Sequence, residues 1–270
     1  MHMLALIEYS GVMTVKKQTR KLPKGHNPKL LSEQDIDYFS RLEGYFERSL
    51  GTTIEKLENF AKYVPRQNLT RFIYRYELFK RILSIQGAIV ECGVYHGGGL
   101  MTFAKLSAIF EPVNIQRQII GFDTFTGFPK ISDKDIGTET APKVGDRHSD
   151  SYDDLVECAQ LYDMNRFLGH INRVSLVKGD ATETIPKYLR ENPYLIVSLL
   201  YLDFDLYEPT KVAIRHFFPR IPRGGIIAFD ELNNSASPGE TIAVMEEIGI
   251  SKLKIERMSY DSYLSFAVID

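Results

Sequence analysis

Five short apolar runs, each closing on or just before a carboxylate and each followed by a helical pattern, constrain this chain more than any other feature. The runs lie at 87–94 (with Glu91), 118–123 (ending in Asp123), 174–177 (leading to Asp180), 195–203 (ending in Asp203) and 225–229 (leading to Asp230). Near-continuous apolar runs of this length suit strands buried on both faces of a parallel sheet. Helical patterns follow at 98–110, 152–168, 183–190, 209–218 and 238–248. This alternation predicts a doubly wound, mainly parallel α/β sheet. Two closing strands, at 252–257 and 263–268, have no helix between them, so the last strand is expected to run antiparallel.

The first 85 residues have a different texture. Residues 1–30 lack periodicity and are expected to form a loosely packed arm. Helices are predicted over 32–50, 53–63 and 69–84, the first capped by Ser32 with Asp35 and striped by Ile36, Phe39, Leu42 and Phe46. The expected organisation is an arm and helical extension over 1–85 and a ligand-binding core over 86–270.

Composition narrows the partners. A 270-residue chain that is 44% hydrophobic, 25% charged and of net charge −2 has a core but no strong field to capture nucleic acid or a membrane. No stretch approaches the roughly 18–20 apolar residues that span a bilayer. Two cysteines, Cys92 and Cys158, form neither a disulfide framework nor a metal-ligand spacing. A cytoplasmic protein acting on a small molecule or glycan is expected, with the apolar N-terminal helices offering an interface for a homo-oligomer.

In an open α/β sheet, ligands bind beyond the carboxyl ends of the strands, where the acids of this chain collect. The first strand leads into Glu91-Cys-Gly-Val-Tyr-His-Gly-Gly, whose glycines permit close backbone approach and whose following helix offers free amides. Its spacing is not the G-x-G-x-x-G of a dinucleotide turn. Asp123 is placed to accept from ribose hydroxyls. Asp180 is placed either for an adenine amino group or as the cap of the next helix. Asp203 and Asp205 share one face if their strand continues, and Asp230-Glu231 ends the neighbouring strand. Converging carboxylates repel unless a cation or proton neutralises them, and an all-oxygen cluster suits Mg²⁺.

These segments resemble the macrocin O-methyltransferase family. The resemblance spans about residues 69–233 and rests on Glu91-Cys-Gly-Val-Tyr-His-Gly-Gly, Phe122-Asp-Thr-Phe-Thr-Gly-Phe-Pro129, Asp203-Phe-Asp-Leu-Tyr-Glu-Pro-Thr210 and Gly224-Gly through Asp230-Glu231. It implies a Rossmann-like class I methyltransferase core with a seven-stranded sheet, S-adenosylmethionine and Mg²⁺ as cofactors, and transfer of a methyl group to a sugar hydroxyl. By the same resemblance Glu91, Gly93 and Asp123 serve the cofactor, with Val94, Tyr95, Thr124, Asp180 and Ala181 expected beside them. Asp203, Asp230 and Glu231 fall at its metal ligands, and Asp203 is the expected general base. The chain departs from the family in having Glu231 where a second aspartate is usual, and Tyr95-His96 before the paired glycines. His148, in a loop at 145–150 expected to close over the site, is a second base candidate.

Two other readings are open. Asp203-x-Asp205 after an apolar strand also resembles the metal-holding element of glycosyltransferases, which leaves the glycine turn and Asp123 without a purpose. A catalytically silent cofactor-binding protein would retain the pocket without the reaction.

Overall fold

The computed structural model describes residues 32–138 and 141–270, so the expected N-terminal arm lies outside the described residues. The described residues up to Val64 belong to one compact unit and Pro65–Asp270 to another. In the first unit, α1 (Glu33–Arg48) starts at Ser32 with the expected reciprocal cap: Ser32 Oγ accepts from the Asp35 amide, and Asp35 accepts from the Ser32 amide at 2.9 Å. Its stripe buries no residue fully. Thr52 and Glu55 form a second such box before α2 (Thr53–Glu58), which gives way to a 3₁₀ turn at Phe60–Lys62 where one continuous helix was expected.

In the second unit, seven strands form one sheet: β1 (Ala88–Cys92), β2 (Ile119–Asp123), β3 (Val174–Lys178), β4 (Val197–Leu202), β5 (Ile226–Phe229), β6 (Glu256–Arg257) and β7 (Ser265–Val268). Their order is β3-β2-β1-β4-β5-β7-β6, parallel from β3 to β5 and antiparallel at β7 and β6. The last strand is antiparallel as expected. Its partner β6 is far shorter than the 252–257 run, whose first residue instead ends a 3₁₀ turn at Ile250–Lys252.

Side chains alternate across the sheet and build two apolar layers. Val90, Phe122, Leu200 and Phe229 face α6 (Ala181–Glu191), α7 (Tyr207–Phe217) and α8 (Gly239–Glu247). Ile89, Ile119, Leu199 and Ala228 face α3 (Arg66–Arg81), α4 (Gly98–Phe110) and α5 (Tyr152–Met164). Both faces are covered, which is why the strands read as continuous apolar runs. At the amino ends, buried Arg117 donates to the Gly87 and Ile82 carbonyls and to Ser198 Oγ, and pairs with Glu111. The chain order reverses between β1 and β4, so the carboxyl ends of those two strands flank the switch point where such sheets bind ligands.

Candidate active site

Ladder hydrogen bonds run one residue past the strands at their carboxyl ends. Gly93 donates to the Phe122 carbonyl (2.9 Å), Asp203 to Cys92 (2.7 Å) and Asp230 to Leu202 (3.1 Å). The glycine turn and the two acidic strand ends are thereby held side by side. Gly93 has φ +97°, and a Cβ there would overlap the Asp203 carbonyl, so β1 and β4 can close only on glycine.

The glycine turn leads into α4 at Gly97, and no side chain caps that helix. Its first amides are therefore free for a ligand. Gly98 fronts open space, whereas a Cβ at Gly99 would overlap Glu91 and crowd Arg75. Glu91 is 1% exposed and lies 3.3 Å from Arg75, while its Oε2 has no partner. Burial pushes its carboxyl up to about 7 against the opposing pull of Arg75. Arg75 in turn sits over the Tyr201 ring, 4.6 Å from the centroid.

Asp123 is more committed than its sequence position suggested. Its Oδ2 accepts from the Val94 (2.7 Å) and Tyr95 (2.8 Å) amides and its Oδ1 from Phe125 (2.6 Å). Three of roughly four acceptor directions are spent on the chain itself, leaving one on Oδ1 for a ligand. Tyr95 takes a left-handed φ of 52°, with its ring edge-on to the exposed His96. Thr124 turns its hydroxyl to the Gly127 carbonyl (2.7 Å). Asp180 Oδ1 caps α6 through the Thr182 amide and hydroxyl, and Ala181 is buried behind it.

The acids of β4 and β5 meet beside this turn. Asp230 is 4% exposed and accepts both arms of Arg71, at 3.0 and 3.3 Å, and the Tyr201 hydroxyl at 3.3 Å. Asp203, half-buried, is pushed well above the usual carboxylate range by burial and by the charges of Asp230 and Asp205. Asp205 lies just beyond the strand with φ 60° and pairs with Arg147 at 2.8 Å. Glu231 is raised to about 8 by burial and then by Asp205, and its Oε2 is buried without a partner. Its amide donates to Glu240 Oε1 (2.9 Å), a carboxyl that burial holds well above its ordinary value. Beside it, the carboxyl groups of Asp203, Asp205, Asp230 and Glu231 face two guanidiniums, those of Arg71 and Arg147.

Among the described residues, no three His, Cys, Asp or Glu side chains already form a metal-holding group. The donor chemistry nevertheless fits a hard cation. The candidate ligand atoms are all carboxylate oxygens, and one of them, Glu231 Oε2, is buried without a partner.

Arg71, Arg75, Arg147 and Glu240 were not read as site residues from the sequence. A signal existed for the first two: Arg71 and Arg75 are one turn apart on the helix face that buries Tyr74, Leu78 and Phe79, and a buried arginine requires a partner. The loop at 145–150 reaches Asp205 through Arg147, with the Phe128 amide bonded to the Asp146 carbonyl and the Asp150 amide to that of Phe125. His148, next to Arg147, is exposed.

Known proteins resemble this chain in sequence and fold. The sequence model of the family described as macrocin O-methyltransferase (TylF) matches residues 76–247. Mycinamicin III 3''-O-methyltransferase of Micromonospora griseorubida is 26% identical over 153 residues, which cover 54% of this chain and 56% of that enzyme. The match thus spans little more than half of that curated relative. The crystal structure of CalS11, a calicheamicin methyltransferase, superposes with a TM-score of 0.85 at 33% identity, covering 92% of this chain and 98% of that one. An apo structure of CalS11, described as a TDP-rhamnose 3'-O-methyltransferase, gives 0.76 at 33% identity over 88% and 95%. Among the described residues no helix is long and apolar enough to cross a membrane. The matched segment contains the glycine turn, Asp123 and all four clustered acids, and the chain belongs to the macrocin O-methyltransferase family.

Proposed function

We propose that the protein is an S-adenosylmethionine-dependent O-methyltransferase that uses a divalent cation to methylate a hydroxyl of a sugar moiety on a natural product or polysaccharide. The observation that carries this reading is the gathering of Asp203, Asp205, Asp230 and Glu231 at the ends of β4 and β5, with Glu231 Oε2 buried without a partner, set against a glycine turn at the switch point. Relatives named for the 3''-hydroxyl of a mycinamicin and the 3'-hydroxyl of TDP-rhamnose support a secondary sugar hydroxyl as acceptor.

Glu91 would hold the cofactor's amino group through its unpartnered Oε2, and the free amides at the start of α4 its carboxylate. Asp123 would take one ribose hydroxyl on the acceptor direction left on Oδ1, with Gly93, Val94, Tyr95 and Thr124 shaping that wall. Asp180 Oδ2 and Ala181 would flank the adenine. When bound, S-adenosylmethionine supplies a sulfonium methyl group open to in-line attack.

Asp203, Asp230 and Glu231 would hold the cation, which when bound acidifies and aims a coordinated hydroxyl. Asp203 would take the acceptor's proton on a carboxylate oxygen. Asp205 is a second candidate to take that proton, since Arg147 opposes the rise that burial gives its carboxyl. Arg147 and its loop would screen the reacting oxygen from water. A cytoplasmic homo-oligomer belongs to the same proposal, on the two free cysteines and the exposed apolar residues of α1 and α2.

Calorimetric titration of the full chain with S-adenosylmethionine and with a UDP-sugar, each with and without Mg²⁺, tests the assignment. Micromolar binding of S-adenosylmethionine alone is expected. Binding of only the sugar nucleotide, dependent on metal, would move the chain to the glycosyltransferases. Cofactor binding with no methyl transfer across sugar acceptors would leave a silent binding protein.

A further inference from the structure

We propose that Arg71 is a built-in competitor for the divalent cation, holding Asp230 in the cation-free protein and leaving that carboxylate as the cation binds. The inference rests on the reading that Asp203, Asp230 and Glu231 form the cation site. Arg71 itself precedes the segment matched by the family.

The geometry of Asp230 is the first argument. Two guanidinium donors and the Tyr201 hydroxyl occupy three of its roughly four acceptor directions, and the residue is 4% exposed. A cation seeking that carboxylate finds it nearly saturated.

The second argument is the contrast between two arginines on one helix. Arg75 is fixed: its side chain is 8% exposed, packed on the Tyr201 ring and paired with Glu91. Arg71, one turn earlier, is 41% exposed, and among the described residues its hydrogen bonds go to Asp230. It can swing into water without stranding a charge, whereas Arg75 cannot.

The third argument is electrostatic. A guanidinium and a divalent cation on the same carboxylate repel each other, and only the guanidinium has water within reach. Cation loading is therefore expected to transfer Asp230 from Arg71 to the ion and to loosen the first turns of α3, which Arg71 ties to the end of β5 by its ion pair with Asp230.

The test is a calorimetric titration of the full chain with Mg²⁺ for wild type, Arg71→Met and Arg71→Lys, without cofactor or acceptor. A partly exposed pair is worth at most about 1 kcal/mol, so Arg71→Met should bind Mg²⁺ about five-fold tighter. Arg71→Lys keeps the charge but loses the fork and should bind about two-fold tighter. In wild type, Mg²⁺ should speed amide exchange over residues 66–73. Equal or weaker binding by Arg71→Met would mean that Arg71 orients Asp230 for the ion, which overturns the proposal while leaving the cation site standing. If Arg71→Met does not fold, unchanged exchange in wild type together with unchanged affinity in Arg71→Lys overturns it. No Mg²⁺ binding by any of the three proteins at millimolar concentration would sink the cation site and this inference with it.

Discussion

Without a cation, raising the pH from about 5 to about 8.5 should cost the protein stability, and Glu231→Gln should remove a defined share of that loss. Burial, then the charge of Asp205, lifts the Glu231 carboxyl from 4.5 to about 8, with Ser237 opposing. Between those values the folded protein keeps a proton that the unfolded chain has released. Stability therefore falls as the pH rises through that window, with the loss complete above the folded value. At face value the shift corresponds to roughly 5 kcal/mol, at about 1.4 kcal/mol per pH unit. Glu231 is half-buried and titrates together with Asp205, so screening reduces its own share to about 2 kcal/mol. For a domain of this size that is a difference of about 4–8 °C in Tm. Scanning calorimetry in EDTA across the pH range, on wild type and Glu231→Gln, measures it directly. The wild-type Tm should fall by that much more than the variant's, and saturating Mg²⁺ should shrink the gap by taking the proton's place. Parallel profiles, or a wild type that gains stability on the variant toward alkaline pH, would refute the reasoning.

Other perturbations separate the roles of neighbouring residues. Asp203→Asn should lower turnover at least about 100-fold, in line with loss of a general base, while the Kd for S-adenosylmethionine stays nearly constant; a matching loss of cofactor affinity would reassign the residue. Asp123→Ala should weaken cofactor binding and also destabilise the fold, since three backbone amides lose their acceptor. The cost should be about 1–3 kcal/mol by urea denaturation; intact stability would contradict the bonding described. Gly99→Ala forces a methyl group onto the Glu91–Arg75 pair and should cost about 1–3 kcal/mol, with cofactor affinity reduced alongside. A variant as stable as wild type would show that the buried pair yields more easily than its packing implies.

What was legible in the sequence was local. The strands showed as short apolar runs because both faces of the sheet are covered, and helix 98–110 was found to the residue because glycines mark its start. Helix α3 was misplaced by one turn: its apolar stripe begins near Leu69, but the polar first turn after Pro65 is helical too. The acids were visible because each closes or follows its own strand. Their partners were not. Arg71 meets Asp230 across 159 positions, Arg147 reaches Asp205 from a loop without periodicity, and the amides that occupy Asp123 belong to no side chain. An arginine on an amphipathic helix reads as solvent-facing until the fold supplies a carboxylate. The charge balance of the site is thus a tertiary property, and the acids alone overstate the charge a cation must neutralise. Arg71 and Arg147 each pair with one of these acids, and burial raises the Glu240 carboxyl well above its ordinary value. Arg71 is exposed enough to give Asp230 up to an ion, and Arg75 is confined to Glu91, so the placement of these two arginines matters as much to the proposed chemistry as the carboxylates themselves.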